Sequence, residues 1–262
     1  MQAHLRYLAI VSEQPAALAA YYKTFYGLRE LGQSAAGDVT LTDGFYNLTI
    51  FQAQPGDKFG LHHVGVAVDD LREVEARLEE AMPEAELTPE NGDLQHGECR
   101  LVDPSGLPVS LSTSGFHTPD DRRGFPAIHH IAIKVADTDA MLDFYKTVFG
   151  FREVSSSLMR RQQNWKSRFA GDGSTCFAIL PLGENEAAAG NISKPGLNHF
   201  GFVVEDMEGM LARLPASGET ARRPATRLQA EFRTFDPDHN GIDISQQAGF
   251  EVDFEKWARA AG

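Results

Sequence analysis

The chain repeats itself, and that constrains its fold more than any single residue does. The stretch Tyr22-Lys23-Thr24-Phe25-Tyr26-Gly27-Leu28-Arg29-Glu30 returns as Tyr145-Lys146-Thr147-Val148-Phe149-Gly150-Phe151-Arg152-Glu153, with six of nine positions identical. A second correspondence joins Leu61-His62-His63-Val64-Gly65-Val66 to Leu197-Asn198-His199-Phe200-Gly201-Phe202. The turn Asp103-Pro104-Ser105-Gly106 ahead of Val109-Ser110-Leu111 matches Asp236-Pro237-Asp238-His239 ahead of Ile242-Asp243-Ile244. The first half therefore resembles the second. Within a half the openings are also alike, since Ile128-His129-His130-Ile131-Ala132-Ile133 compares with Leu61-His62-His63-Val64-Gly65-Val66. Four units follow, beginning near Leu5, Leu61, Ala127 and Leu197.

Each unit opens with an alternating apolar run of strand type, then a short acidic turn, then a helix. In the third unit Asp137 is placed to cap a helix whose Met141, Leu142, Tyr145, Val148 and Phe149 form an apolar stripe, and Gly150 supplies a left-handed stop. In the first unit Pro15 opens the helix and Gly27 closes it, with Leu18, Tyr21, Tyr22 and Phe25 on the stripe. These aromatic stripes read as core. Short strand-like runs separated by turns follow each helix, so the unit reads β-α-β-β-β. The fold class expected is α+β, with two tandem domains of two such units each, every domain a curved, partly open mixed sheet with its helices outside. The boundaries expected are 1–113 and 127–248, joined by a Pro-, Gly-, Asp- and Arg-rich linker at 114–126 and followed by a helical tail at 249–262.

Composition narrows the partners. With 42% hydrophobic residues in 262 the chain can fill real cores. A net charge of -13 repels nucleic acid and anionic membranes, so neither is expected as a partner. No apolar run is long enough to span a bilayer, and the start carries no secretion signal, which makes cytoplasmic the expected location. Cys99 and Cys176 lie in different halves without a CxxC spacing and are expected to be reduced, buried thiols. Exposed edges on curved sheets make a homodimer plausible.

The fourfold unit, the His in each opening strand from the second on, and the Asp236-Pro237-Asp238-His239-Asn240 turn together resemble the vicinal oxygen chelate superfamily over nearly the whole chain. That superfamily includes glyoxalase I, methylmalonyl-CoA epimerase, the bleomycin and fosfomycin resistance proteins and the type I extradiol ring-cleaving dioxygenases. Four units in one chain look most like the two-domain extradiol enzymes. The resemblance implies a first domain without metal and a second that holds a metal on its concave face. Carried onto this sequence, the ligand positions are His130, His199 and Asp243. In the first half the same positions hold Tyr7, His63 and Ser110, which cannot make a comparable site.

Strand parity agrees with this set. His130, Ala132 and Lys134 share one face of their strand while Ile131, Ile133 and Val135 share the other. His199 goes with Gly201 and Val203; Asp243 goes with Gly241 and Ser245. The aliphatic faces must cover the helices, so the three polar residues belong on the concave side. By the same rule His129 and His62 fall with the helix-covering residues and are expected at a strand edge, and His239 is expected on a turn surface. Two imidazoles and a carboxylate are the donors of a facial triad, which leaves open positions on a first-row metal.

Departures from the dioxygenase pattern bear on the chemistry. Asp243 stands where those enzymes nearly always have Glu, one methylene longer. Where they carry a proton-transferring His and Tyr, the nearest residues here are Ser174 or Thr175 and Arg233. Arg233 either anchors a substrate carboxylate or is a solvated strand residue. Arg160, Arg161, Trp165, Lys166 and Arg168 form a basic, aromatic stretch that either steers an anion to the cup or is a solvated face. The reading favoured is a metal-dependent, Fe(II) dioxygenase-like oxygenase acting on a small aromatic or enolisable anion and O2. Its alternatives are a glyoxalase-type lyase or isomerase using Mn, Ni, Zn or Co, and a metal-free binding protein of resistance type. Those glyoxalase relatives usually add a carboxylate ligand on the last strand of the preceding unit, here Cys176-Phe177-Ala178-Ile179-Leu180, which has none.

Overall fold

The computed structural model describes residues 1–121, 124–153, 166–182, 196–214, 221–222 and 231–246. The expected tail helix at 249–262, Arg160, Arg161 and Trp165 of the basic, aromatic stretch, and most of the loops at 156–168 and 181–196 lie outside these.

Two eight-stranded mixed sheets form two tandem halves. The first contains β1 (Ala3–Ser12), β2 (Arg29–Gln33), β3 (Val39–Thr42), β4 (Asn47–Gln52), β5 (Gly60–Val68), β6 (Thr88–Pro89), β7 (Cys99–Val102) and β8 (Pro108–Ser112), in the order β2-β3-β4-β1-β5-β8-β7-β6. The second contains β9 (Ala127–Val135), β10 (Arg152–Glu153), β11 (Arg168–Gly171), β12 (Cys176–Pro181), β13 (Gly196–Val204), β14 (Ala221–Arg222), β15 (Phe232–Phe235) and β16 (Gly241–Gln246), in the order β10-β11-β12-β9-β13-β16-β15-β14. The two orders are the same permutation. Each sheet joins its two units through an antiparallel pair of opening strands, β1 with β5 and β9 with β13. Each opening strand also pairs in parallel with the last strand of its own unit.

Helices α1 (Pro15–Tyr26), α2 (Leu71–Ala81), α3 (Thr138–Phe149) and α4 (Met207–Arg213) each follow an opening strand. Their ends obey the local chemistry expected. Asp137 accepts from the N–H groups of Asp139 and Ala140, a cap that contributes about 1 kcal/mol, and Gly150 closes α3 at φ 69°. Pro15 starts α1 and Gly27 ends it at φ 67°. No helix among the described residues is long and apolar enough to cross a membrane. Both cysteines are free and buried.

One apolar cluster runs through both halves. It holds the helix-facing residues of the opening and closing strands, including Ile131, Ile133, Val135, Phe200, Phe202, Ile242 and Ile244, as parity required. The aromatic stripe of α1 does more than fill its own half. Tyr22 packs on Phe200 with ring centroids 5.9 Å apart, and Tyr26 on Phe202 at 4.3 Å. The Tyr22 hydroxyl donates to Asp236 Oδ2 at 2.6 Å, and the equivalent Tyr145 donates to Asp103 Oδ2 at 3.0 Å. Each half thus pins the Asp-Pro turn of the other, and burial holds both carboxyls above their ordinary range. With the shared cluster on the helix-facing sides of the sheets, the opposite faces are left for other purposes.

Candidate metal centre

The site is built from one row of residues across five strands. Cys176 on β12 lies level with His130 on β9, His130 with Gly201 on β13, Gly201 with Asp243 on β16, and Asp243 with Arg233 on β15. Same-level residues project from the same face of a sheet, so the row points into one cup. Gly201 is the gap that makes the row workable. A Cβ built there would fall 1.9 Å from His130 Cε1, so the His130 ring occupies the space a side chain would take. His199, one level away and opposite Ala132, completes the cluster.

His130, His199 and Asp243 each offer a ligand atom within 4.8 Å of the others, and all three are buried. The His130 and His199 rings meet edge to face with centroids 5.1 Å apart. His199 Nε2 stands 3.1 Å from Asp243 Oδ2, while His199 Nδ1 meets Asn198 Oδ1 at 2.7 Å. An amide oxygen only accepts, so His199 Nδ1 carries the hydrogen. A neutral ring then turns its Nε2 lone pair toward a carboxylate oxygen, two acceptors that repel unless a proton or a metal ion is shared between them. Metal–donor bonds of about 2.0–2.2 Å at right angles separate adjacent donors by about 3 Å, so the spacing fits a first-row metal.

The electrostatics favour the donor form of His130. Burial, then the neighbouring imidazoles of His129 and His199, push His130 well below the ordinary histidine value of 6.5, which keeps it neutral. Arg233 Nε donates to Asp243 Oδ1, so one carboxylate oxygen is committed to the guanidinium and the other faces His199. Arg233 is buried rather than solvated, and its Nη1 has no hydrogen-bond partner among the described residues. Ala132, Phe169, Cys176 and Ala178, with Leu180 packed against them, form an apolar wall of the cup. Burial raises the Cys176 thiol, so it stays protonated and acts as wall. Lys134, on the His130 face two residues beyond Ala132, is buried as well. Ser174 and Thr175 hold a turn instead, their N–H groups each 2.7 Å from Asp172 Oδ1.

His129 and His62 depart from expectation. Neither is at a strand edge: His129 is buried inside β9, with its Nδ1 2.8 Å from His130 Nδ1, and His62 Nδ1 lies 2.7 Å from His63 Nδ1. The reason is a break in pairing register. Gly201 pairs with His130 and Phe202 with Ile128, which skips His129; Ala9 pairs with His63 and Ile10 with Leu61, which skips His62. A bulge resets the two-residue alternation, so parity counted across it fails. His239 is exposed in its turn, with φ 63°.

Residues 127–244 match the model of the Glyoxalase/Bleomycin resistance protein/Dioxygenase superfamily, the span that holds all three donors. This half of the chain therefore belongs to that superfamily, the vicinal oxygen chelate proteins, and the first half repeats its fold. Among curated relatives, the uncharacterized protein YaeR of Escherichia coli K12 is 27% identical over 128 residues, which is 47% of this chain and 98% of that protein. The Mn(II)-bound glyoxalase from Novosphingobium aromaticivorans superposes with a TM-score of 0.72 at 19% identity, over 96% of this chain and 84% of that one. An extradiol ring-cleaving dioxygenase from B. fuscum superposes with a TM-score of 0.67 at 16% identity, over 95% and 73%. At these identities the solved structures share the fold.

Proposed function

We propose that the chain is a metal-dependent enzyme whose divalent ion is held by His130, His199 and Asp243, with Fe(II) favoured, and that it acts as a dioxygenase-like oxygenase on a small aromatic or enolisable anion. The observation that carries the reading is the pair of facing acceptors, His199 Nε2 and Asp243 Oδ2, with His130 on the same spot at the floor of a cup. Three protein donors leave positions open for a chelating substrate and O2. When bound, such an ion supplies Lewis-acid and redox chemistry.

The chain's own residues supply the rest. Arg233 holds Asp243 through Oδ1, which limits the carboxylate to one donor oxygen and compensates for its short side chain by fixing it in place. The Arg233 Nη1 hydrogens are donors for a substrate oxygen, and Lys134 adds positive charge to the same face. The wall from Ala132 to Ala178 suits an apolar ring or chain and excludes water from it. A glyoxalase-type reading has less support, because Cys176, Ala178 and Leu180 occupy the cup face of β12 where a carboxylate ligand would stand.

Metal analysis after anaerobic purification tests the proposal. Bound transition metal in the wild type, lost in His130→Ala, is expected; no metal above background in the wild type overturns the enzyme reading in favour of a binding protein. Oxygen uptake with catechols and hydroxylated acids on the Fe(II) form then separates oxygenase from isomerase. An Fe(II) protein that consumes no oxygen with any of them contradicts the oxygenase assignment.

A further inference from the structure

The register breaks follow a rule. In all four opening strands one residue is skipped in the pairing between the two units, and it directly precedes the residue that enters the cup. The skipped residues are Arg6 before Tyr7, His62 before His63, His129 before His130, and Asn198 before His199. A bulge residue lies beside its successor instead of on the opposite face, so its side chain can reach the successor's ring. Three of the four do so, and always at Nδ1: 2.7 Å for His62, 2.8 Å for His129 and 2.7 Å for Asn198.

We infer that His129 and Asn198 are positioning residues that decide which ring nitrogen of His130 and His199 binds the metal. The inference rests on the metal-site reading above. A neutral imidazole has one N–H and one lone pair, so a partner that accepts at Nδ1 fixes the lone pair on Nε2. Asn198 does this through Oδ1. The His129–His130 contact needs one ring to donate and the other to accept, and only His130 as donor leaves its Nε2 able to bind a metal. Both rings thereby present Nε2, the atom already 3.1 Å from Asp243 Oδ2 in His199. Such partners set ring orientation and basicity as well, and losing one typically costs about 10–100-fold in metal affinity. The first half supplies an internal control, since His62 makes the same bond to His63 in a half that has Ser110, opposite Gly65, where the second has Asp243 opposite Gly201.

The test is Co(II) affinity and the proton spectrum of the Co(II) form. The wild type is expected to show an exchangeable, hyperfine-shifted Nδ1–H resonance for each ligand ring. Asn198→Leu and His129→Phe should each lose their own resonance and bind Co(II) about 10–100-fold more weakly. Asn198→Asp, which keeps an acceptor, should bind close to wild type, and His62→Phe should leave Co(II) affinity unchanged. Wild-type affinity in folded Asn198→Leu and His129→Phe overturns the inference while leaving the metal site standing. Should those variants not fold, wild-type protein lacking the exchangeable resonances overturns it equally. Wild-type protein that binds no metal overturns the metal-site reading itself.

Discussion

The two cups are built to one plan and filled differently. The row Cys176, His130, Gly201, Asp243, Arg233 in the second half corresponds level by level to Asn47, Tyr7, Gly65, Ser110, Arg100 in the first. Both keep a glycine where a side chain would collide with the neighbouring ring: a Cβ at Gly65 would fall 2.6 Å from Tyr7 Cβ and from Phe116 Cζ. Both keep an arginine beside the closing strand. In the second half the arginine holds Asp243, a member of the row. In the first it holds Glu90, which also takes the Ser110 hydroxyl.

What fills the first cup is aromatic, and one of its rings, Phe116, comes from the segment joining the halves. Phe116, Tyr7, His63 and His96 form a stack of nearly parallel rings, with centroids 4.9, 5.1 and 6.1 Å apart. The Tyr7 hydroxyl donates to the Gln95 carbonyl at 2.7 Å, and Asn47 Nδ2 donates to the Phe116 carbonyl at 3.0 Å. Polar groups there are spent on holding the protein together. The backbone devices are therefore indifferent to function, and the chemistry of a cup is set by three side chains and by whether a plug occupies it.

Substitutions at matching positions probe this difference. The largest effect is expected at the two glycines. Gly201→Ala must displace the His130 ring and should abolish metal binding, whereas Gly65→Ala, which presses on Tyr7 and Phe116, should lower stability with metal stoichiometry intact. Metal analysis alongside urea denaturation reads both, and retained metal in Gly201→Ala would break the comparison. Next comes Phe116→Ala, which empties the plug. A fully buried phenylalanine lost from a stack costs about 3–5 kcal/mol of folding stability, and metal binding in the other half should be unaffected.

Smaller effects belong to the reciprocal contacts between halves. Tyr145→Phe and Tyr22→Phe each remove a donor to a buried carboxyl and should cost about 1.5–3 kcal/mol if the acceptor is charged. Asp103 sets a pH dependence. Burial raises its folded value above 3.8, so the stability it contributes is complete below the unfolded value and is lost as pH rises through the folded one. Denaturation midpoints should accordingly fall more between pH 4 and neutrality in wild type than in Asp103→Asn, and an identical pH response in the two would contradict the assignment.

The fold was legible because a repeated unit needs only one correct reading. Gly27 and Gly150 marked helix ends, and the Asp-Pro turns marked the approach to each last strand. That His130, His199 and Asp243 come together was legible because each sits where alternation within its own strand is unbroken on the helix-facing side. His129 and His62 were misread because a bulge is a property of two paired strands and leaves no mark in either alone. The Arg233–Asp243 contact likewise depends on register between β15 and β16. Phe116 lies in a stretch without periodicity, and its place in the first cup follows from the chain's path between halves. The stripe of α1 read as core with no partner named, and Tyr22, with Tyr26 beside it, covers Phe200 and Phe202 of the other half.

The central claim, one metal site in the second cup and none in the first, is tested most directly by metal stoichiometry in a pair of matched variants. His199→Ala and His63→Ala replace the same position in the two halves. The account predicts a single ion per chain in wild type and in His63→Ala and none in His199→Ala. Equal loss in both variants, or metal retained in His199→Ala, would contradict it.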